Sequence, residues 1–129
     1  MHTTAIGDLT EAMVTAALLR KGHVLLRPVS SNSGYDLLID RDNVFERVQC
    51  KTGRLREGAI VFNTHSLAGG RYRKNYIGRA DAFGIYCPDT GLCYLIPVAL
   101  VGKRIGYLRA IPTKNKQEAK IRLASKFVI

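Results

Sequence analysis

The chain has 129 residues, 20 Lys or Arg against 10 Asp or Glu, and a formal net charge of +10 at pH 7. That length suits one domain, residues 1–129, with enough chain for a real core. A hydrophobic content of 47% excludes wholesale disorder, and the positive charge favours a polyanionic partner such as nucleic acid, RNA-binding proteins being equally basic.

No apolar stretch approaches the roughly 20 residues needed to span a bilayer, so a membrane is not an expected partner. Residues 1–10 contain no basic start followed by an apolar run, so no signal peptide is expected and the expected location is cytoplasmic. Cys50, Cys87 and Cys93 are odd in number and lack CxxC spacing, which fits a reducing compartment. Cys87 and Cys93 either face each other across the turn Pro88-Asp89-Thr90-Gly91 or form a buried pair of free thiols. His2, His23 and His65 lack metal-ligand spacing.

In chain order, the first element is a helix over 7–21, with Asp8 placed to complement its positive end and Gly22 as its stop. Leu9, Met13, Ala16, Ala17 and Arg20 describe one mostly apolar face; Glu11, Val14 and Leu18 form a second line. Glu11 thus borders an apolar stripe, as either a helix-dipole acid or a site residue. Residues 23–28 read as a strand. The polar run 29–34, with Asn32 and Ser33, is either a plain connection or a loop touching a nucleic-acid backbone.

Two stretches, 35–40 and 44–51, then alternate in a strand-like way with only Arg41, Asp42 and Asn43 between them. This predicts a β-hairpin. Asp36 and Leu38 share one face, as do Gln49 and Lys51 on the partner strand. Folding about Asp42 sets Asp36 opposite Val48 or Gln49. An acid, an amide oxygen and an ammonium then converge at one end of the sheet, unless Asp36 and Lys51 are only a cross-strand ion pair.

After a turn at 55–58 a strand over 59–63 follows, and 81–87 with 92–97 make a second hairpin. Between them, 65–79 reads as an adaptable glycine-containing basic loop. Arg71, Arg73, Lys74 and Arg79 in it are candidates to neutralise phosphates, and Tyr72 and Tyr76 to stack or hydrogen-bond; Arg54 and Arg56 are further candidates. The alternative is a solvated basic loop without function. The run 103–126 is again basic, a second nucleic-acid surface or an oligomer contact. Helix followed by hairpins is an α+β pattern: an N-terminal helix, then a β-meander, in a central mixed β-sheet flanked by helices.

Asp36 on one strand and Gln49-Cys50-Lys51 on the next resemble the PD-(D/E)XK nuclease superfamily, whose core also has an N-terminal helix bearing a Glu, here Glu11. Gly34-Tyr35-Asp36-Leu37, Val48-Gln49-Cys50-Lys51-Thr52-Gly53-Arg54, Tyr86-Cys87-Pro88 and Tyr94-Leu95-Ile96-Pro97 are most similar to its small intron-encoded homing endonucleases, over residues 5–100. The sequence departs from the pattern at Tyr35, where a Pro is usual, and at Gln49, where an acid is usual.

The resemblance implies a restriction-endonuclease-like core and Mg²⁺-dependent (or Mn²⁺-dependent) hydrolysis of double-stranded DNA by a homodimer or homotetramer. It also implies a ligand set: Asp36 as main metal ligand, the Cys50 carbonyl as second, Gln49 or Glu11 completing the site, and Lys51 orienting water or stabilising charge. Holliday-junction resolvases share the fold. With Gln49 removing one negative charge, a silent nucleic-acid-binding relative is the further alternative.

Overall fold

The structure, a computed structural model, describes residues 3–30, 33–68, 72–101, 105–110 and 123–129, with the backbone alone at 3, 66–68 and 72–75. Helix α1 spans Thr3–Arg20. It ends where Gly22 takes φ +85°, the Gly22 N–H donating to the Leu19 carbonyl (2.9 Å) and the His23 N–H to that of Leu18 (3.2 Å). These are the two bonds of a Schellman cap. Because α1 begins four residues earlier than expected, no acid lies in its first turn and exposed Asp8 complements nothing there. The buried line is also shifted: Thr10, Val14 and Leu18 are buried, whereas Ala16 and Arg20, expected on the apolar face, are exposed.

The main sheet has the order β1-β2-β3-β8-β9, from Val24–Leu26 (β1), Leu37–Arg41 (β2), Val44–Thr52 (β3), Ala82–Cys87 (β8) and Leu92–Pro97 (β9). Asp42 (φ 49°) and Asn43 (φ 74°) make the two-residue turn of the β2–β3 hairpin, the backbone hand that matches strand twist. β3 pairs with β8 in parallel and the other pairs are antiparallel, so the sheet is mixed, as expected. The meander, however, is interrupted. Between β3 and β8 the chain forms Arg54–Arg56 (β4) and Ala59–Asn63 (β5), which join Ile105–Arg109 (β10) in a sheet ordered β10-β5-β4. His65–Ala68 (β6) and Tyr72–Asn75 (β7) form a separate hairpin. The stretch 65–79, read as a loop, is therefore largely strand.

Two cores lie on opposite faces of the main sheet. On one, α1 presses Val14 and Leu18 onto Leu37, Ile39, Val48 and Cys93. On the other, Phe83, Ile85 and Ile96 meet Ile60, Phe62 and Leu108 of the small sheet, which stands where a second helical layer was expected. Phe83 meets the rings of Phe62 and Tyr76 edge-on, at 5.7 and 5.6 Å. Gly84 lets α1 approach: a Cβ there would lie 2.7 Å from a Val14 methyl. Cys87 pairs with Leu92 and Cys93 with Tyr86, so the two thiols are buried and free, but on opposite faces rather than facing each other. Among the described residues no helix is long and apolar enough to cross a membrane.

Candidate active site

The β2–β3 ladder determines where Asp36 sits. Leu37 pairs with Val48, so one further step sets Asp36 beside Gln49. The Asp36 N–H still donates to the Val48 carbonyl (2.8 Å), but the Cys50 N–H donates to Asp36 Oδ2 (2.8 Å) instead of to a backbone oxygen. A carboxylate thus takes the next rung of the ladder. The N–H and C=O of a strand residue point to the same edge, so the Cys50 carbonyl faces the same side. Gln49 Nε2 approaches it at 3.4 Å.

Beside Asp36 opens a cleft of about 300 Å³ lined by Glu11, Arg27, Ser30, Ser33 and Tyr35, among others. Glu11 is brought there by α1, whose buried Thr10 hydroxyl pairs with that of Thr52 at 2.6 Å. That bond ties the helix to β3 one residue past Lys51. Across the cleft Arg27 pairs with Glu11, and its Nη2 donates to Thr15 Oγ1 (3.3 Å). Burial raises the Asp36 carboxyl above the ordinary range and the negative Glu11 adds to this, while the Cys50 N–H, Lys51 and Arg27 oppose it. The Cys50 thiol is raised too, chiefly by burial.

Lys51 lies on the face of β3 away from α1. Its Nζ donates to the His65 carbonyl and to the Tyr76 hydroxyl, both at 3.1 Å, and stands 4.7 Å from the Tyr76 ring centroid. Glu11 and Lys51 therefore reach the end of the sheet from opposite faces, and both act electrostatically on Asp36, which lies between them.

A family model for PD-(D/E)XK endonucleases matches residues 1–129. The chain belongs to the PD-(D/E)XK endonuclease family. Its fold is that of a solved bacterial homing endonuclease, I-Ssp6803I, with a TM-score of 0.75 at 21% identity, over 99% of this chain and 89% of that one. Among curated protein sequences, none matches at significance.

The structure brings Asp36, Gln49, Lys51 and the Cys50 backbone to one strand end, with Glu11 across the cleft. Ser33 lines the cleft as well, its hydroxyl donating to the Tyr35 carbonyl (2.8 Å). Arg54 and Arg56 are exposed on β4 and do not line the cleft. Arg79 is half-buried, its guanidinium 5.3 Å from the Tyr76 ring. Tyr76 is a correction: 4% exposed, it is a core residue that holds Lys51, not a DNA contact. Asn32 and Arg71 lie outside the described residues, as do the side chains of Tyr72, Arg73 and Lys74 and most of the run 103–126.

Sequence reasoning missed Arg27, whose only signal was a basic residue just past a short strand. Thr10 was missed as well; its signal was the i, i+4 spacing to Val14 and Leu18. Arg47 was also missed: it clasps Asp81 through Nε and Nη2 (3.0 and 3.1 Å) and donates to the Gly78 carbonyl (2.9 Å), fastening the turn before β8 to β3.

The donor set suits a hard divalent cation. Carboxylates at Asp36 and Glu11, a backbone carbonyl and an amide oxygen are all oxygen donors, which Mg²⁺ and Mn²⁺ accept and which a thiolate-preferring ion would not. No group of three or more His, Cys, Asp and Glu is present among the described residues, so a purely side-chain cage is not what these residues offer.

Proposed function

We propose that this chain is a divalent-metal-dependent, site-specific endonuclease hydrolysing double-stranded DNA, of the homing type, acting as a homodimer or homotetramer. The observation that carries the reading is the Asp36 carboxylate fixed by the Cys50 N–H, with Glu11 on one side and a lysine held in place on the other. The homing endonuclease with the same fold supports it.

Asp36 and the Cys50 carbonyl would hold Mg²⁺ or Mn²⁺, with Glu11 or Gln49 completing the ligands. The ion supplies an acidified water and shields charge on the phosphate oxygens. Lys51 keeps its ammonium within the site and orients the attacking water or stabilises charge on the transferred phosphoryl. Arg27 pairs with Glu11 across the cleft. One such site cuts one strand, so a double-strand break needs a second copy, for which a symmetric homo-oligomer is the default solution.

The test is cleavage of duplex plasmid and of a synthetic four-way junction, with Mg²⁺, with EDTA, and with Asp36→Ala. Discrete Mg²⁺-dependent cuts in duplex, lost in the variant, support the proposal; junction-only cutting makes the protein a resolvase. Binding without cutting of any duplex, with no heat of Mn²⁺ binding lost on Asp36→Ala, points to a silent relative, the alternative that Gln49 raises. Lys51→Ala should abolish cleavage and leave DNA binding nearly intact. Gln49→Glu should retain the fold and alter metal preference; unfolding would mark Gln49 as a structural amide.

A further inference from the structure

We infer that the outward face of the β10-β5-β4 sheet is the surface on which duplex DNA lies beside the cleft, with Arg54, Arg56 and Tyr107 as its contacts. The inference rests on the endonuclease reading above. Register defines the face. Arg54, Val61 and Tyr107 form one cross-strand row, and Arg56, Ala59 and Arg109 the next. Alternate residues Ile60, Phe62 and Leu108 point the other way into the core. The exposed members of these rows are Arg54, Arg56 and Tyr107, whereas Ala59 is buried and Arg109 is half-buried, its Nη1 donating to the Glu57 carbonyl (3.4 Å). No acid occupies a strand position in either row. Tyr107 is 49% exposed, an aromatic ring with no core of its own to fill.

The partner's chemistry follows from charge and position. A face with two exposed arginines and one exposed aromatic ring complements a phosphate backbone. A groove of about 280 Å³ on this face runs past Arg54, Arg56 and Asn63 to Thr52, the neighbour of Lys51. At Gly53 the strand passes from the main sheet to the small one, so close to Ile60 that a Cβ would lie 2.7 Å from its methyl. Lys51 and Arg54 are three residues apart, about 10 Å along an extended chain. That span corresponds to about three base pairs of rise along the duplex axis. A protein strand added at the edge of β4 is a poorer occupant, because the outward Leu55 N–H is already taken by Asp89 Oδ2 at 2.8 Å.

The experiment measures affinity for a fluorescent duplex of arbitrary sequence in EDTA, as a function of salt. Arg54→Ala and Arg56→Ala should each lower the slope of log K against log[salt] by about 0.9, one phosphate contact apiece. Arg54→Lys should keep the slope. Tyr107→Ala should weaken binding about fivefold with the slope unchanged, one hydrogen bond to the DNA backbone being lost. Arg20→Ala, on the helix packed against the opposite side of the main sheet, should change neither. Unchanged slopes in the two alanine variants, with tight binding by the wild type, would overturn this surface and leave the nuclease reading standing. No duplex binding by the wild type would overturn both.

Discussion

Replacing Gly84 with alanine should move the active site without touching it. The new Cβ would lie 2.7 Å from Val14 Cγ1 and 3.0 Å from Val48 Cγ1. Carbon atoms need about 3.5–4.0 Å, and Val48 is fixed in the middle of β3. Helix α1 must therefore lift by about 1 Å, and Glu11, one turn before Val14, must move with it. Overpacking of this kind costs about 1–3 kcal/mol, which at about 4 °C per kcal/mol for a domain of this size lowers Tm by about 4–12 °C. Catalytic geometry is less forgiving, a displacement of about 1 Å being worth as much as a hundredfold in rate. Adding Val14→Ala removes the clashing methyls. The double variant should then be more stable than the sum of the two single losses by at least about 1 kcal/mol and should regain cleavage. Thermal melts and plasmid cleavage of the four proteins measure both. Strict additivity, with no recovery of cleavage, would refute the claim that helix approach over Gly84 determines where Glu11 stands.

Tyr76→Phe keeps the ring under Lys51 and removes one charge-assisted hydrogen bond, worth about 1.5–3 kcal/mol. Steady-state kinetics should show kcat down about 10- to 100-fold with KM little changed; a loss confined to KM would assign Tyr76 to substrate binding. Arg27→Met removes the cation paired with Glu11, which on the proposed ligand set competes with the metal. The pair is about half exposed and such pairs are worth about 0.2–1 kcal/mol, so calorimetry should show Mn²⁺ binding tightened by about 1.4- to fivefold, and weaker binding would make Arg27 a support for the ligands instead. Asp81 titrates below the ordinary carboxylate range because of its hydrogen bonds with Arg47. Its contribution is present above the unfolded value of 3.8 and is lost as pH falls through the lower folded value. Melts of Asp81→Asn should therefore fall below wild type at pH 7 by a few degrees at most, given the exposure of the pair, and converge with it at the acid end; a gap that persists in acid would mean the asparagine disturbs packing.

The β2–β3 hairpin was legible because two local signals agreed: period-two alternation on both sides and a turn of residues that tolerate positive φ. From that hairpin alone Asp36, Gln49 and Lys51 came to one strand end. The parallel pairing of β3 with β8 was not legible, since its partners are separated by more than thirty residues and nothing local in either strand names the other. The same limit hid Tyr76. A tyrosine beside arginines, lysine and glycines in sequence reads as a surface residue, and only the tertiary approach of Phe83 makes it core. Helix α1 was found but rotated, because its buried line includes Thr10, a polar residue that belongs inside through its bond to Thr52.

The rung that Asp36 takes from the β2–β3 ladder makes the site depend on counting. Asp36 meets the Cys50 N–H only because the turn at Asp42 and Asn43 holds two residues, five or six positions and about 17–20 Å away. One residue inserted there would slide one strand against the other and exchange inside for outside along it, or else bulge. A lengthened turn is thus a way to disarm the protein from its far edge, with every chemical group still present in the chain.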